Sequence, residues 1–171
     1  MAVLVAAASK HGATDEIAAR IGADLVEHGV DAEVKRLEDV TEIGGYDAFV
    51  LGSGIYLGNW LKEARAFVDI HAVELTERPT WLFASGSIVG DPPVADDPNA
   101  LRTGLAERLV ETTHAREHKL FAGKLDKSKL GLMEKAAVRG AHAVEGDYRD
   151  WQAVDDWAAT IAQELQKTRE K

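Results

Sequence analysis

Cysteine is absent from the 171 residues. That excludes disulfides, a thiolate nucleophile, cysteine-ligated zinc and iron–sulfur clusters, so any redox chemistry must come from a bound cofactor. It also fits a reducing compartment, and a cytoplasmic location is expected. Nowhere do about 18 apolar residues follow one another, and the N-terminus carries neither the basic flank nor the apolar stretch of a signal peptide, so no membrane span is expected. Positive charge is scarce: 20 Lys and Arg stand against 29 Asp and Glu, a formal net charge of -9. A general nucleic-acid binder is thereby excluded, because neutralising phosphates takes a cationic excess. Proline occurs four times, and Pro92, Pro93 and Pro98 mark the stretch Pro92 to Asn99 as an extended surface connection. What is left has the size and apolar balance of one domain with a substantial core.

The stretch Val3 to Thr14 organises the rest. An apolar run passes through small residues into Ser9, Lys10, His11, Gly12, Ala13 and Thr14, and a helical pattern begins at Asp15. This reads as a buried strand, a tight loop and a helix N-terminus. Such a junction presents free N–H groups and the positive end of a helix dipole, and the hydroxyls of Ser9 and Thr14 add to it, so a phosphate monoester suits it. The loop has neither the Gly-x-Gly-x-x-Gly of dinucleotide folds nor the Gly-Lys-Ser/Thr of nucleoside triphosphatases.

Strands and helices then alternate. Asp15 to His28 is the first helix, with Gly29 as its C-cap; Val30 to Leu37 is a second strand near an edge; Ala48 to Leu51 is a third. Asn59 is the expected N-cap of a helix from Trp60 to about Val73. Thr80 to Ala84 is the fourth strand, Ala100 to Thr113 a helix, Lys119 to Gly123 the fifth strand, and Asp150 onward an amphipathic final helix. The pattern predicts an α/β fold with a five-stranded parallel sheet. Two further loops are small and glycine-bearing: Gly52 to Trp60 after the third strand, and Ser85 to Asp91 after the fourth. Glycines let a backbone approach a flat ligand, and Tyr56 or Trp60 can stack on a ring, unless these aromatics only cover the core edge. Loops beyond the carboxyl ends of parallel strands converge where strand order reverses, and all three are expected to meet there.

The segment Lys124 to Asp147 is longer than a crossover needs. Between Lys124 and Arg139, Lys124, Lys127, Lys129, Lys135 and Arg139 outnumber Asp126 and Glu134 by three, a local reversal in an acidic chain. It reads as an amphipathic helix packed on its own sheet, or one resting on a partner or an anionic membrane face through residues 124–139. His114, Glu117 and His118 match a His-x-x-Glu-His zinc pattern, but a strand begins directly after them and no further acidic ligand follows, so no metal is expected. No paired carboxylates or triad suggest a catalytic side chain.

The Ser-x-x-Gly-x-Thr spacing resembles the phosphate loop of flavodoxins. Gly52-Ser53-Gly54-Ile55-Tyr56-Leu57-Gly58, Phe121-Ala122-Gly123-Lys124-Leu125 and Asp150-Trp151 resemble the menaquinone-type, oxygen-independent protoporphyrinogen IX dehydrogenases within that fold family. The resemblance implies a flavodoxin-like three-layer sandwich over residues 1–171 as a single domain, with an extra segment at about 124–147. It implies FMN, its phosphate surrounded by Ser9, Lys10, His11, Gly12, Ala13 and Thr14. Ser53, Gly54, Ile55, Tyr56 and Gly58 would face one side of the isoalloxazine, and Ser85, Gly86, Ser87, Ile88 and Val89 the other. The implied function is an oxidoreductase passing electrons from a reduced substrate to a quinone or other acceptor. A non-catalytic electron carrier that meets a redox partner, and a flavin-free binding or regulatory module, are the alternatives. The inserted segment departs from that family, having no aromatic residue between Asp126 and His142.

Overall fold

The structure is a computed structural model and describes residues 1–56, 58–86, 104–140 and 144–169. Its elements in chain order are β1 (Ala2–Ala8), α1 (Ala13–Glu27), β2 (Asp31–Arg36), β3 (Ala48–Tyr56), β4 (Asn59–Trp60), α2 (Lys62–Ile70), α3 (Ala72–Glu77), β5 (Thr80–Ser85), α4 (Leu105–Thr113), β6 (Glu117–Phe121), β7 (Lys124–Leu125), α5 (Leu132–Gly140), β8 (Gly146–Asp147) and α6 (Trp151–Arg169). The five expected parallel strands form one sheet in the order β2-β1-β3-β5-β6, with β4 paired antiparallel to β3. Strand order reverses beside β1, so the crevice expected of a doubly wound fold opens beyond the ends of β1 and β3.

The inner strands are buried on both faces, as their continuous apolar runs require. One face packs Val3, Val5, Val50, Trp81 and Phe83 against Ile17 and Ile21 of α1 and Val154, Trp157 and Ile161 of α6. The other packs Leu4, Phe49, Leu51 and Leu82 against Phe67 and Val68 of α2, Leu75 of α3 and Leu109 of α4. Trp157, Phe83 and Phe121 meet edge to face with centroids 5.6–6.2 Å apart, and the Trp157 indole N–H donates to Glu117 at 2.7 Å. Among the described residues β2 pairs with β1 alone, and four of its six residues are exposed, the edge strand its charges foretell.

Three expectations are corrected. The third strand does not stop at Leu51 but continues through Gly52, Ser53 and Gly54 to Tyr56. The reason is steric: a Cβ on Gly52 would sit 2.1 Å from the Phe83 ring, so here glycine admits a neighbour's side chain instead of ending the strand. Asn59 caps no helix. It pairs with Tyr56 in the β3–β4 hairpin, and the helix starts at Lys62 after Leu61, whose N–H donates to the Ser53 hydroxyl at 2.9 Å. The single helix expected from Trp60 to Val73 is two, broken at His71. The extended stretch Pro92 to Asn99 lies outside the described residues.

His114, Glu117 and His118 are also parted. His114 ends α4 in the left-handed region, and Glu117 and His118, successive residues of β6, point to opposite faces. Among the described residues no cluster of three or more His, Asp or Glu could hold a metal, and no helix is long and apolar enough to cross a membrane. His118 lies beside Trp60, ring centroids 5.7 Å apart, and burial pushes its pKa down to about 4. A histidine in the unfolded chain takes up its proton below about 6.5, whereas the folded one does so only near 4. Stability is therefore full above about pH 6.5 and falls as the pH drops toward 4, by on the order of 2–3 kcal/mol from this group. Urea unfolding at neutral and acid pH should show His118→Leu losing that part of the slope; an unchanged slope would remove burial of His118 as its source.

Candidate functional site

The ends of β1, β3, β5 and β6 enclose a cleft of about 160 Å³. After Ala8 the chain turns sharply: the Gly12 N–H donates to the Ser9 hydroxyl at 2.9 Å, and Gly12 takes φ +90°, a conformation open chiefly to glycine. The turn delivers the chain into α1 with Ala13 and Thr14 on the cleft wall. The first N–H groups of α1 have no intrahelical carbonyl to meet. Thr14 is only 3% exposed, and its hydroxyl lies 3.2 Å from that of Ser85 at the end of β5.

Gly54 stands opposite Thr14. A Cβ there would come within 3.2 Å of the Thr14 hydroxyl, so the glycine keeps that oxygen clear. Ile55 and Tyr56 continue the wall along β3, and the Lys10 ammonium sits 4.2 Å from the centre of the Tyr56 ring. Where β5 and β6 leave the sheet, Gly86 at φ +115° donates its N–H to Phe121 at 3.2 Å. A Cβ on Gly123 would lie 2.7 Å from the Gly86 Cα; two backbones touch here.

The segment after β6 closes the cleft. Instead of packing on its own sheet, α5 lies over the loop that follows β1, and Leu125, Leu130 and Val138 form a small apolar cluster beneath it. The Glu134 carboxylate reaches His11 Nε2 at 2.9 Å and Lys10 Nζ at 3.0 Å, while its second oxygen accepts the Gly131 N–H at 2.9 Å. Burial alone would raise this carboxyl, but the Gly131 N–H, His11 and Lys10 outweigh it and hold the pKa near 2, so Glu134 is ionised throughout the working range. At the root of the segment β7 pairs with β8. Arg149, its side chain 5% exposed, grips Asp147 at 2.7 Å and 2.8 Å, meets Glu16 of α1 and lies over Trp151.

The structure thus brings Ser9, Lys10, His11, Ala13, Thr14, Gly54, Ile55, Tyr56, Ser85 and Gly86 to one cleft. Gly12 shapes the turn behind it. Ser53 is fully buried, its hydroxyl donating to the Gly54 carbonyl at 2.8 Å while accepting from Leu61, and Gly58 takes φ +75° in the β3–β4 turn. Ser87, Ile88 and Val89 lie outside the described residues. Chemically the cluster of hydroxyls, helix N–H groups, the Lys10 ammonium and the His11 ring suits a compact anion beside a flatter, partly apolar wall.

A sequence profile of the Flavodoxin domain matches residues 4–152. The chain belongs to the flavodoxin-domain family. Among curated flavodoxin-domain relatives, protoporphyrinogen IX dehydrogenase [quinone] of Escherichia coli K12 is 25% identical over 175 aligned positions, covering 95% of each chain. Among solved structures, a flavodoxin from the domain Archaea matches 97% of this chain and 99% of its own at TM-score 0.65 and 18% identity. The rubredoxin oxygen:oxidoreductase of Desulfovibrio gigas matches 97% of this chain and 36% of its own at TM-score 0.64 and 11% identity. Nothing in the sequence pattern announced Glu134, Leu125, Leu130 or Val138 as cleft residues; the local charge reversal marked their segment without saying which way it faces.

Proposed function

We propose that the protein binds FMN and is a flavodoxin-type oxidoreductase, passing electrons from a reduced substrate to a quinone or other acceptor. The observation that carries this reading is the convergence of the Ser9, Thr14 and Ser85 hydroxyls with the N-terminus of α1 in one cleft. A phosphate monoester needs donors and little else, and hydroxyls that can turn a hydrogen toward it beside the first N–H groups of a helix supply them. The loop is already suited to an anion, since it holds the Glu134 carboxylate. Ser9, Gly12, Ala13 and Thr14 would hold the phosphate, with Lys10 adding charge and the His11 ring a hydrogen bond. Gly54, Ile55, Tyr56, Ser85 and Gly86 would take the ring system, with Ser53 and Gly58 fixing the shape of β3. Bound FMN would supply the electron chemistry; the protein orients it and shields it from water. The E. coli relative is named for protoporphyrinogen IX and quinone, which makes a reduced tetrapyrrole-like donor and a quinone acceptor the first pair to assay.

An absorbance titration with FMN tests the reading. Saturable binding at one equivalent is expected. Thr14→Val, which removes one hydroxyl and keeps the shape, should weaken affinity by roughly tenfold or more, a loss of about 1–3 kcal/mol. No saturable binding, or an unchanged affinity in the variant, would refute the assignment. The net charge of -9 favours a second reading, an electron carrier steered toward basic partners. Turnover with a donor and quinone alone would decide against the carrier.

A further inference from the structure

We propose that Glu134 is a built-in competitor for the anion position of the loop after β1, so that a ligand phosphate enters by displacing the Glu134 carboxylate and lifting α5. The inference rests on the reading of that loop as a phosphate site. One Glu134 oxygen is bonded to both nitrogen-bearing side chains of the loop, at 2.9 Å from His11 and 3.0 Å from Lys10, and the side chain is nine-tenths buried. A phosphate drawn to the same two side chains would be placed against a fixed carboxylate. Like charges crowded together at a poorly solvated site repel strongly, and one of them must leave.

The segment is built to let it leave. Its root is fixed by the β7–β8 pair and by Arg149, so α5 moves as a flap instead of coming loose. Above the root, among the described residues, what holds it down is Glu134, a long 3.5 Å contact from Lys129 Nζ to the His11 carbonyl, and the small cluster of Leu125, Leu130 and Val138. Its outward side has nothing to lose, with Leu132 and Met133 at 88% and 83% exposure. Glu134 also closes its own helix by accepting the Gly131 N–H, half of a capping box. That makes glutamine the informative replacement: it keeps the cap and removes the charge.

The test is to titrate the full-length protein and Glu134→Gln with FMN and with riboflavin, and to follow hydrogen exchange of amides 131–140 in the unsubstituted protein with and without FMN. Glu134→Gln should bind FMN roughly tenfold more tightly or better, and riboflavin, which has no phosphate, with little change. Amides 131–140 should exchange faster once FMN is bound. An FMN affinity equal to or weaker than that of the unsubstituted protein would overturn the competition while leaving the FMN reading intact. Tighter binding with no faster exchange would overturn the displacement, leaving Glu134 as a background charge. If neither protein binds FMN, the flavin reading falls and takes this proposal with it.

Discussion

Phe83→Ala is expected to cost about 3–5 kcal/mol of stability, the range for emptying a fully buried aromatic position. Phe83 has no exposed surface and lies between Phe121 and Trp157 on one side of the sheet. Its ring also fills the space above Gly52, where a Cβ would overlap it at 2.1–2.4 Å. That contact makes the prediction sharper than a simple loss. Gly52→Ala in the unsubstituted protein should cost on the order of 1–3 kcal/mol through overpacking. In the Phe83→Ala background the methyl enters vacated space and should cost nothing or stabilise. Four urea unfolding curves close the cycle. Additive costs would mean that the ring is not what forbids a side chain at position 52.

Arg149→Ala is expected to lower stability by about 2–4 kcal/mol. Breaking a buried ion pair leaves its partners unpaired, but Asp147 and Glu16 are half exposed and regain water, which keeps the loss from the top of the range. Hydrogen bonding to Arg149 holds both carboxyls below their ordinary values. Their contribution is therefore present above the unfolded carboxylate range and fades as the pH falls through the depressed folded values. Arg149→Ala should abolish that acid-side component and loosen the root of the 124–147 segment from α1. Limited trypsin digestion would register the loosening as faster cleavage after Lys127, Lys129 and Lys135; unchanged digestion would show that the β7–β8 pair suffices without the arginine.

The fold was legible because its signals are local. Buried parallel strands carry apolar runs such as Val3 to Ala7 and Thr80 to Ala84, and the amphipathic pattern of α1 and α6 shows which side each helix buries. The first loop was legible for the same reason: Ser9, Gly12 and Thr14 lie within six residues of one another. What escaped depends on partners far along the chain. Gly52 looks like the end of a strand until Phe83, 31 residues later, is seen to occupy the place of its side chain. Asn59 has the chemistry of a cap, yet the ladder to Tyr56 claims it first. Glu134 meets His11 across 123 residues, and no periodicity records so distant a pairing.

Strand β3 has a consequence of its own. The same strand that carries Phe49 and Val50 in the middle of the molecule carries Ile55 and Tyr56 at the cleft, where its pairing passes from β1 and β5 to the short antiparallel β4. Interior and cleft therefore lie on one continuous strand. A repacking that shifts β3 by a fraction of an ångström near Phe83 would be transmitted to Tyr56, so tuning of ligand geometry in this protein can arise from substitutions that never touch the ligand.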